Sequence, residues 1–536
     1  MERDDVQDLV RPFSADYRRY AADESRWEGY AEHIAFPRDE AEVLRVLELC
    51  ASRNEAVTVQ GALTGITGGA VPQGGCILNL SRLNRIYDIR VHPDSRQVSV
   101  RVQPGVLLRD LQFTLQQAAR EAVENTASPG GQRGGDIGRV FFPPDPTESS
   151  ASLGGMIACN SSGAISFRYG PVRRYVVALR VGLVDGRILE LRRDRERAVG
   201  RRFRLRASDG SVLEGDLPAY RYPRVKSAAG YFIEDDMDLL DLFVGSEGTL
   251  GIVLDAELKL IPVPPVRWGI LAFLPAEGDA VALVEGLRPL KSAGLAALEF
   301  FGPNALRLLK DARARLPFLA ELPELKKTWE AALYLEIHAA TEDQAMDLLE
   351  RIVDLLEEAG VTEEDTWSAE DRKQMGRMKE LRHAVPELVN MQLETLKRSA
   401  GAITKLGTDM AVPDGRLSDA MDLYREGITA ESLEAVSFGH IGDGHVHVNI
   451  LAHDQDEYLR ARRMYLQWAR RIVAWGGTVS AEHGIGKLKV ELLRIMYGDK
   501  GVAEMFELKR AFDPDLRLGR GTLFGRPSAA RSGDAR

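Results

Sequence analysis

Three histidines within twelve residues form the most distinctive chemical pattern in this sequence. They lie in Phe438–Asn449, which ends in an alternating polar and apolar run and predicts a strand entered through a Gly-Asp-Gly turn. Residues two apart in a strand share a face, so His445, His447 and Asn449 should point the same way. His440 precedes the turn and can fold back towards that face.

A second polar cluster, Ser480–Gly486, contains Glu482 and His483. Two imidazoles and a carboxylate, beside glycines that let the backbone come close, suit a catalytic divalent metal with open coordination positions. The alternative is a polar hairpin whose histidines face solvent. A lone His-x-His pair favours that alternative, whereas the second cluster favours a metal or substrate site.

The length and composition of the chain exclude several classes of protein. Its 536 residues are enough for two or three domains, and its net charge of −10 argues against a nucleic-acid partner. The cysteines, Cys50, Cys76 and Cys159, are far apart, which excludes iron–sulfur spacing and fits a reducing cytosol. The acidic N-terminus lacks the apolar core of a signal peptide, and no apolar run is long enough for a membrane span. Peripheral docking at a membrane stays open.

The first half of the chain is marked by glycine-rich stretches. Gln60–Pro72 carries four glycines and two threonines, a loop whose amides can converge on a diphosphate. It matches neither a Walker loop nor a Rossmann loop, and a glycine loop alone is often only a turn. Ser149–Gly163 is rich in glycine and serine, which favours tight packing against a flat ligand. The proline-rich Ile261–Pro265 predicts a domain boundary.

The second half changes character. The strand candidates Trp268–Leu274 and Ala331–His338 alternate with the helix candidates Glu342–Glu358 and Ser368–Leu396. That order indicates an α+β domain with an antiparallel sheet covered on one side by helices.

Five collinear motifs resemble the FAD-linked oxidases of the vanillyl-alcohol-oxidase superfamily. More narrowly, they resemble its D-2-hydroxy-acid dehydrogenase branch, which includes cytochrome-type D-lactate dehydrogenase, D-2-hydroxyglutarate dehydrogenase and the glycolate oxidase flavoprotein subunit. The motifs are Gly61–Pro72, Pro143–Gly163, Gly245–Val253, Gly439–Asn449 and Glu482–Gly486. The resemblance runs from about residue 35 to about residue 525.

The resemblance implies an α+β fold with a two-lobed FAD-binding domain and a substrate domain that caps it. The implied divisions are an N-terminal arm (1–34), the FAD-binding domain (35–263), the substrate domain with the metal site (264–510), a C-terminal segment that returns towards the FAD-binding domain (511–526) and a disordered tail (527–536).

The resemblance also implies which residues bind FAD. Those expected at the diphosphate are Gln60, Gly61, Ala62, Leu63, Thr64, Gly65, Thr67, Gly68 and Gly69. Those expected along the isoalloxazine and ribityl chain are Pro144, Asp145, Thr147, Gly154, Gly155, Ala158, Asn160, Ser161, Gly163 and Tyr169. Those expected on the adenine side are Glu247, Gly248, Gly251, Ile252 and Val253. No histidine lies between Val57 and Leu80, so we expect FAD to be bound without a covalent link.

The implied site combines a divalent metal, with zinc expected, and a small 2-hydroxy acid. The implied metal ligands are His440, His447 and Glu482, and the implied substrate-binding residues are Asn449, His483, Arg382 and Lys405. His483 would take the hydroxyl proton while hydride passes from C2 to flavin N5, giving the 2-oxo acid. Without the resemblance, Arg382 and Lys405 would be assigned to ordinary surface or ion-pair roles.

Two departures from the family pattern bear on this site. Position 445 is often an amide residue in the branch, whereas here it is His445, an alternative ligand. Pro386 lies one turn after Arg382, where the hydroxyglutarate enzymes would offer a hydroxyl, which weakens the case for hydroxyglutarate. The helix that carries Arg382 is expected to break or kink before Pro386.

The leading hypothesis is a metal-assisted, FAD-dependent D-2-hydroxy-acid dehydrogenase acting on a D-lactate-like substrate. The alternatives are a metal-independent flavin alcohol oxidase of the same fold and a flavin-carrying electron-relay subunit of a larger complex. Because cluster-binding cysteines are absent, electrons must pass to an external acceptor such as a quinone, a cytochrome, an electron-transfer flavoprotein or an iron–sulfur subunit. We expect a cytoplasmic homodimer, with contact at the inner face of the membrane left open.

Overall fold

The computed structural model describes residues 9–126, 138–313, 315–316, 319, 324–400 and 405–525. The predicted disordered tail, 527–536, lies outside the described residues. The described chain contains three larger sheets and a separate hairpin.

The first sheet is small and comes from the start of the chain. Its strands are β1 (Val10–Pro12), β2 (His33–Ala35), β3 (Val57–Gln60) and β4 (Cys76–Asn79), in the order β1-β2-β4-β3. β4 pairs in parallel with both β2 and β3. The glycine loop begins directly after Gln60, the last residue of β3.

The second sheet is antiparallel. Its strands are β5 (Ile86–Val91), β6 (Val98–Val102), β7 (Val140–Phe141), β8 (Val176–Gly182), β9 (Ile188–Arg192) and β12 (Ile252–Pro262). The hairpin of β10 (Arg202–Arg206) and β11 (Val212–Asp216) stands apart from this sheet. Phe203 of the hairpin is buried and stacks on Phe512 with ring centroids 5.4 Å apart.

The third sheet is antiparallel at every pairing, as predicted. Its strands are β13 (Val266–Leu274), β14 (Leu295–Phe301), β15 (Ala331–Ala339), β16 (Thr366–Ala369), β17 (Leu406–Gly407), β18 (Ala435–Gly439) and β19 (His447–Ile450), in the order β16-β13-β15-β14-β18-β19-β17. β12 is the last strand of the second sheet and β13 the first of the third, so the sheets change across Ile261–Pro265. The exact domain boundaries stay a prediction.

The helices of the described chain pack around these sheets. They are α1 (Glu40–Ser52), α2 (Leu108–Thr126), α3 (Leu153–Cys159), α4 (Ser166–Tyr169), α5 (Glu277–Leu287), α6 (Pro303–Ala312), α7 (Glu342–Glu358), α8 (Arg372–Ala400), α9 (Leu417–Ala430), α10 (Gln455–Ala474) and α11 (Val490–Phe512). α1 and α7 begin and end where the sequence predicts. No helix among the described residues is both long and apolar enough to cross a membrane.

Helices cover both faces of the third sheet rather than the single face that the sequence predicts. Alternate residues of β15 face opposite ways. Leu333 and Leu335 belong to one core with α5 and α7, whereas Ala332 and Tyr334 belong to another with α6 and α8. The sheet is therefore buried on both sides, which explains why nearly every residue of β15 is buried.

Of the break or kink expected before Pro386, the break does not occur, because α8 continues through that residue, and the kink stays a prediction. A proline lacks the amide that would bond the carbonyl four residues earlier, so the carbonyl of Arg382 loses its intrahelical donor. Buried side chains on α8, including Leu381, Val385 and Val389, pack against the sheet and keep the helix in place.

Candidate functional site

A cavity of about 940 Å³ lies between the glycine-rich loops and the third sheet. Its walls include the glycine loop after β3 and Trp27 of the N-terminal arm. They also include His440, His447 and Glu482. The two groups of residues singled out by the sequence therefore meet in a single space.

Most of the residues predicted to bind cofactor or substrate line this cavity. Those in its walls are Gln60, Gly61, Ala62, Leu63, Thr64, Gly65, Thr67, Gly69, Thr147, Gly154, Gly155, Ala158, Ser161, Gly163, Glu247, Gly248, Gly251, Ile252, Val253, Arg382, Lys405, His440, His447, Asn449, Glu482 and His483. The predicted residues outside its walls are Gly68, Pro144, Asp145, Asn160 and Tyr169.

Three of the five residues outside the walls have structural contacts instead. Asn160 ends α3 in the left-handed region and accepts a hydrogen bond from the Arg173 amide. The Tyr169 hydroxyl lies 2.8 Å from Nδ1 of His338. Asp145 accepts from the Ile165 amide at 3.2 Å, and burial raises its pKa to about 7. These three side chains support the cavity from behind.

The glycines predicted to bind the cofactor fall into two groups, those packed against other protein atoms and those that face open space. At Gly61 and Gly163, an added Cβ would lie 2.1 Å from Ser152 Oγ and 1.9 Å from the Asp145 carbonyl, so other parts of the protein occupy that space. At Gly65 and Gly69, the nearest protein atoms would be 4.0 Å and 3.7 Å away, and both glycines line the cavity. A side chain at Gly65 or Gly69 would fill open space, which fits a loop shaped for a cofactor such as FAD.

The strand hairpin brings two of the histidines together. β18 ends beside His440, a short turn reverses the chain, and β19 begins at His447, which pairs with Phe438. Gly444 completes the turn at φ +65°, and a Cβ there would lie 2.5 Å from the Val412 carbonyl. The Gly-Asp-Gly sequence therefore closes a turn that other residues would not fit.

Both histidines are held at Nδ1, which leaves Nε2 to face the same carboxylate. His440 Nδ1 lies 2.7 Å from Glu299 Oε1, and His447 Nδ1 lies 3.0 Å from the Thr408 carbonyl. Because these oxygens only accept, both Nδ1 atoms carry the proton. Each Nε2 lies 3.2 Å from Glu482, so two ring nitrogens and a carboxylate converge where they could hold a divalent metal.

Glu482 is fixed from its far side by residues distant in the sequence. Oε2 accepts from Lys226 Nζ at 2.8 Å and from Ser162 Oγ at 3.2 Å. Burial opposes ionisation, but His440 and Lys226 hold the pKa of Glu482 well below its usual range. The carboxylate is therefore ionised, as a metal ligand must be.

His445 is buried behind this cluster. Its ring centroid lies 4.4 Å from that of His447, and the two rings belong to the same group of candidate ligands. Nε2 lies 3.1 Å from Asp409 Oδ1, yet neither ring nitrogen makes a hydrogen bond within the described chain. Burial and His447 keep the pKa of His445 well below its usual value, so the ring is neutral.

Asp409 organises the second polar cluster. It accepts hydrogen bonds from Ser480 Oγ at 2.6 Å and Lys489 Nζ at 2.7 Å, and it lies 3.3 Å from Nδ1 of His483. Burial opposes ionisation, but His483 and Lys489 hold the pKa of Asp409 well below its usual range. The carboxylate therefore keeps a proton on Nδ1 of His483.

His483 is placed to accept a proton at its other nitrogen. Burial lowers its pKa despite the opposing charge of Asp409, so the ring is neutral near pH 7. Its ring stacks on His447 with centroids 5.3 Å apart, and Nε2 lies 3.6 Å from Glu482 Oε1. An unprotonated Nε2 beside the metal cluster suits a general base.

The predicted substrate-binding residues line the same cavity. Arg382 Nη1 donates to Glu299 Oε2 at 3.0 Å, and Lys405 Nζ donates to Asn390 Oδ1 at 3.0 Å. Asn449 is buried on β19. Glu299 thus contacts both Arg382 and His440, and these two cations hold its pKa at about 2 although burial opposes ionisation.

Sequence reasoning missed Glu299, Asp409, Lys226 and Ser162. Glu299 had a detectable signal, because it is the one charged residue of the otherwise apolar strand β14. A buried charge in a strand is usually paired. The other three carried no comparable pattern in the sequence.

Two family models match the chain. The one described as FAD binding domain matches residues 31–139, and the one described as FAD linked oxidases, C-terminal domain, matches residues 264–523.

Several known proteins are similar over nearly the whole chain. The glycolate oxidase subunit GlcD of Bacillus subtilis is 28% identical over 511 residues, covering 94% of this chain and 92% of that protein. A D-2-hydroxyglutarate dehydrogenase of Xanthomonas citri is 28% identical, covering 95% and 93%. A D-lactate dehydrogenase of Anaerostipes hadrus is 28% identical, covering 90% and 87%.

Solved structures show the same fold at low sequence identity. p-Cresol methylhydroxylase with substrate bound superposes with a TM-score of 0.65 at 15% identity, covering 97% of this chain and 94% of that chain. Alkyldihydroxyacetonephosphate synthase superposes with a TM-score of 0.62 at 16% identity, covering 96% and 82%. The predicted vanillyl-alcohol-oxidase fold is therefore confirmed.

The fold, the cavity and the domain matches define an FAD-dependent oxidoreductase. Within that class, the chain carries an FAD binding domain at residues 31–139 and an FAD-linked oxidase C-terminal domain at residues 264–523.

Proposed function

We propose that this protein oxidises a small D-2-hydroxy acid to the 2-oxo acid, using FAD and a divalent metal. The observation that carries the proposal is the arrangement of His440 and His447. Each ring is anchored at Nδ1 and presents Nε2 to Glu482, in the same cavity that the glycine loop lines.

The glycine-rich loops supply the cofactor site. The amides and hydroxyls of Gln60–Gly69 would face the diphosphate, and the segment from Gly154 to Gly163 would lie along the flavin. FAD, when bound, accepts the hydride from C2 of the substrate. The residues between Val57 and Leu80 offer no histidine for a covalent link, which supports non-covalent binding.

The metal ligands in this proposal are His440, His447 and Glu482. His445, buried behind them, is an alternative ligand. Two imidazoles and a carboxylate with open coordination positions suit zinc, and suit manganese or iron less selectively. The metal, when bound, lowers the pKa of the substrate hydroxyl. Glu299 and the Thr408 carbonyl hold the two rings in the tautomer that coordination needs.

The remaining residues bind the substrate and move its proton. His483, held by Asp409, takes the hydroxyl proton at Nε2. Arg382 offers a planar pair of donors for the carboxylate, and Lys405 adds a second positive charge. Asn449 faces the substrate from β19.

The relatives support a 2-hydroxy acid as the substrate class, because their names refer to glycolate, D-lactate and D-2-hydroxyglutarate. Pro386 lies where the hydroxyglutarate enzymes would offer a hydroxyl to the second carboxylate of their substrate. We therefore propose a D-lactate-like substrate. Electrons then pass to an external acceptor. The proposal includes a cytoplasmic homodimer and the domain divisions at residues 34, 263, 510 and 526.

The test is a substrate screen with an artificial electron-accepting dye. D-lactate, L-lactate, glycolate and D-2-hydroxyglutarate are compared on wild-type protein and on Glu482→Gln, with metal content measured on the same samples. We expect dye reduction with D-lactate, none with L-lactate, and loss of both metal and activity in Glu482→Gln. Full activity in a metal-free Glu482→Gln protein would contradict the proposal and favour the metal-independent alcohol oxidase.

A further inference from the structure

The segment Ser480–Leu488 carries both Glu482 and His483, and the glycine loop holds it at one end. Lys487 Nζ donates to the carbonyls of Gly68 at 3.1 Å and Gly69 at 2.7 Å. The amides of Lys487 and Leu488 donate to the Thr67 carbonyl at 2.9 Å and 3.2 Å. The Thr67 hydroxyl also donates to the His483 carbonyl at 3.3 Å, so five hydrogen bonds join this segment to three consecutive residues of the loop.

The segment and the glycine loop also touch through their backbones. Gly486 has φ +54°, and a Cβ there would lie 2.1 Å from the Thr67 carbonyl. Glu247, another cavity residue, accepts from the amides of Ile485 at 2.8 Å and Gly486 at 2.7 Å. The path of the segment is thus fitted to the loop with no room for a side chain between them.

Lys487 contacts the glycine loop through two carbonyls, whose direction is linked to that of the amides that follow them. In a trans peptide the carbonyl and the following amide point in opposite directions. When the carbonyls of Gly68 and Gly69 turn towards Lys487, the amides of Gly69 and Ala70 turn to the opposite side. Thr67 and Gly69 line the cavity, so the same loop faces the cofactor space on one side and Lys487 on the other.

We propose that Lys487 is a positioning residue that couples FAD binding to metal binding. FAD in the cavity orders the glycine loop, the ordered carbonyls hold Lys487, and Lys487 holds the segment in which Glu482 is five residues away. The inference rests on the proposed function, because it needs both FAD and the metal. By linkage, the metal strengthens FAD binding by the same factor.

The test measures FAD affinity rather than activity. Holoenzyme is diluted, once with metal present and once after chelation. The dissociation constant of FAD is determined in each case from the fluorescence of the released flavin. Wild type is compared with Lys487→Met, which keeps the length without the charge, and with Lys487→Arg, which can still donate to two carbonyls. The control is Lys500→Met, an exposed lysine whose nearest acidic partner is Glu504 at 3.8 Å.

In wild type and Lys500→Met, removing the metal should weaken FAD binding about tenfold. In Lys487→Met, the ratio of the two dissociation constants should fall to about one, and Lys487→Arg should restore most of it. A wild-type ratio of one, or a wild-type ratio retained in Lys487→Met, would overturn the coupling. If Lys487→Met does not retain FAD, Lys487→Arg decides: a ratio close to the wild-type ratio supports coupling through Lys487, and a ratio of one would overturn it.

Metal content on the same samples separates this inference from the proposed function. A wild-type protein that binds no metal would overturn the proposed metal site, and the coupling with it. If the protein binds metal and oxidises the substrate, but its FAD affinity is the same with and without metal, the coupling is overturned and the proposed function is not.

Discussion

Glu299 Oε1 lies 2.7 Å from Nδ1 of His440, the shortest contact that His440 makes with a carboxylate. The other oxygen of Glu299 lies 3.0 Å from Arg382. A single buried carboxylate thus sets the tautomer of a proposed metal ligand and the position of a proposed substrate-binding arginine. Binding of the metal and binding of the substrate carboxylate are expected to depend on the same residue.

Replacing Glu299 by glutamine should weaken metal binding by about 10–100-fold. The amide oxygen can still accept from His440, but the amide nitrogen cannot accept from Arg382, so one of the two contacts is lost. Competition with a zinc-binding dye measures the effect. The control is Glu277→Gln, a half-buried glutamate that accepts from Ser437 at 3.4 Å and does not line the cavity. Equal affinity in the two variants would contradict the role of Glu299.

Metal affinity should rise with pH. Burial lowers the pKa of His440, but Glu299 and Glu482 outweigh it and raise that pKa to about 9 in the metal-free protein. His440 is therefore protonated at pH 7, and the metal must displace that proton from Nε2. The apparent affinity should fall about tenfold for each pH unit below about 9. A zinc titration that gives the same affinity at pH 6.5 and pH 8.5 would contradict this assignment.

Asp409→Asn should slow flavin reduction by about 10²–10⁴-fold while metal stays bound. The asparagine keeps the shape but no longer fixes the proton on Nδ1 of His483, so Nε2 stops serving as the base. Rapid mixing with substrate under anaerobic conditions measures the rate.

A matched control for this variant is Asp513→Asn. Asp513 is fully buried and paired with Lys509 at 2.8 Å, away from the cavity. That change should lower stability without slowing flavin reduction in the folded protein. Equal slowing in both variants would mean that Asp409 acts only through stability.

Two glycine substitutions should have different effects, one on FAD binding and the other on stability. Gly65 faces open cavity, so Gly65→Ala should fold normally and weaken FAD binding, because the methyl group enters the cofactor space. Gly486 has positive φ and no room, so Gly486→Ala should lower the free energy of unfolding. Melting temperature and retained flavin, measured together, distinguish these outcomes. Normal flavin content in Gly65→Ala would contradict the placement of FAD against this loop.

The sequence was sufficient to predict what depends on local pattern. Alternation around His447 predicts the strand, and the Gly-Asp-Gly turn predicts the reversal that brings back His440. The strand itself starts at His447, and His445 pairs only as an isolated bridge with Ala411. The periodicities of α1 and α7 gave their ends, because their apolar stripes and caps are strong.

What the sequence could not show depends on contacts between distant residues. Glu299 is 141 positions from His440, and Lys226 is 256 positions from Glu482. Only the pairing of β14 with β18 brings Glu299 beside His440. That α8 does not break at Pro386 has a related reason, since its buried side chains pack against strands distant in the sequence.

The visible spectrum of the purified protein, kept anaerobic, tests metal-assisted oxidation most directly, as D-lactate is added before and after metal is removed. We expect rapid bleaching of the flavin band with metal present, loss of bleaching after chelation, and recovery when zinc or manganese is returned. Bleaching that persists unchanged after chelation would remove His440, His447 and Glu482 as functional ligands. No bleaching by D-lactate, glycolate or D-2-hydroxyglutarate in a protein that carries FAD and metal would contradict the 2-hydroxy-acid dehydrogenase itself.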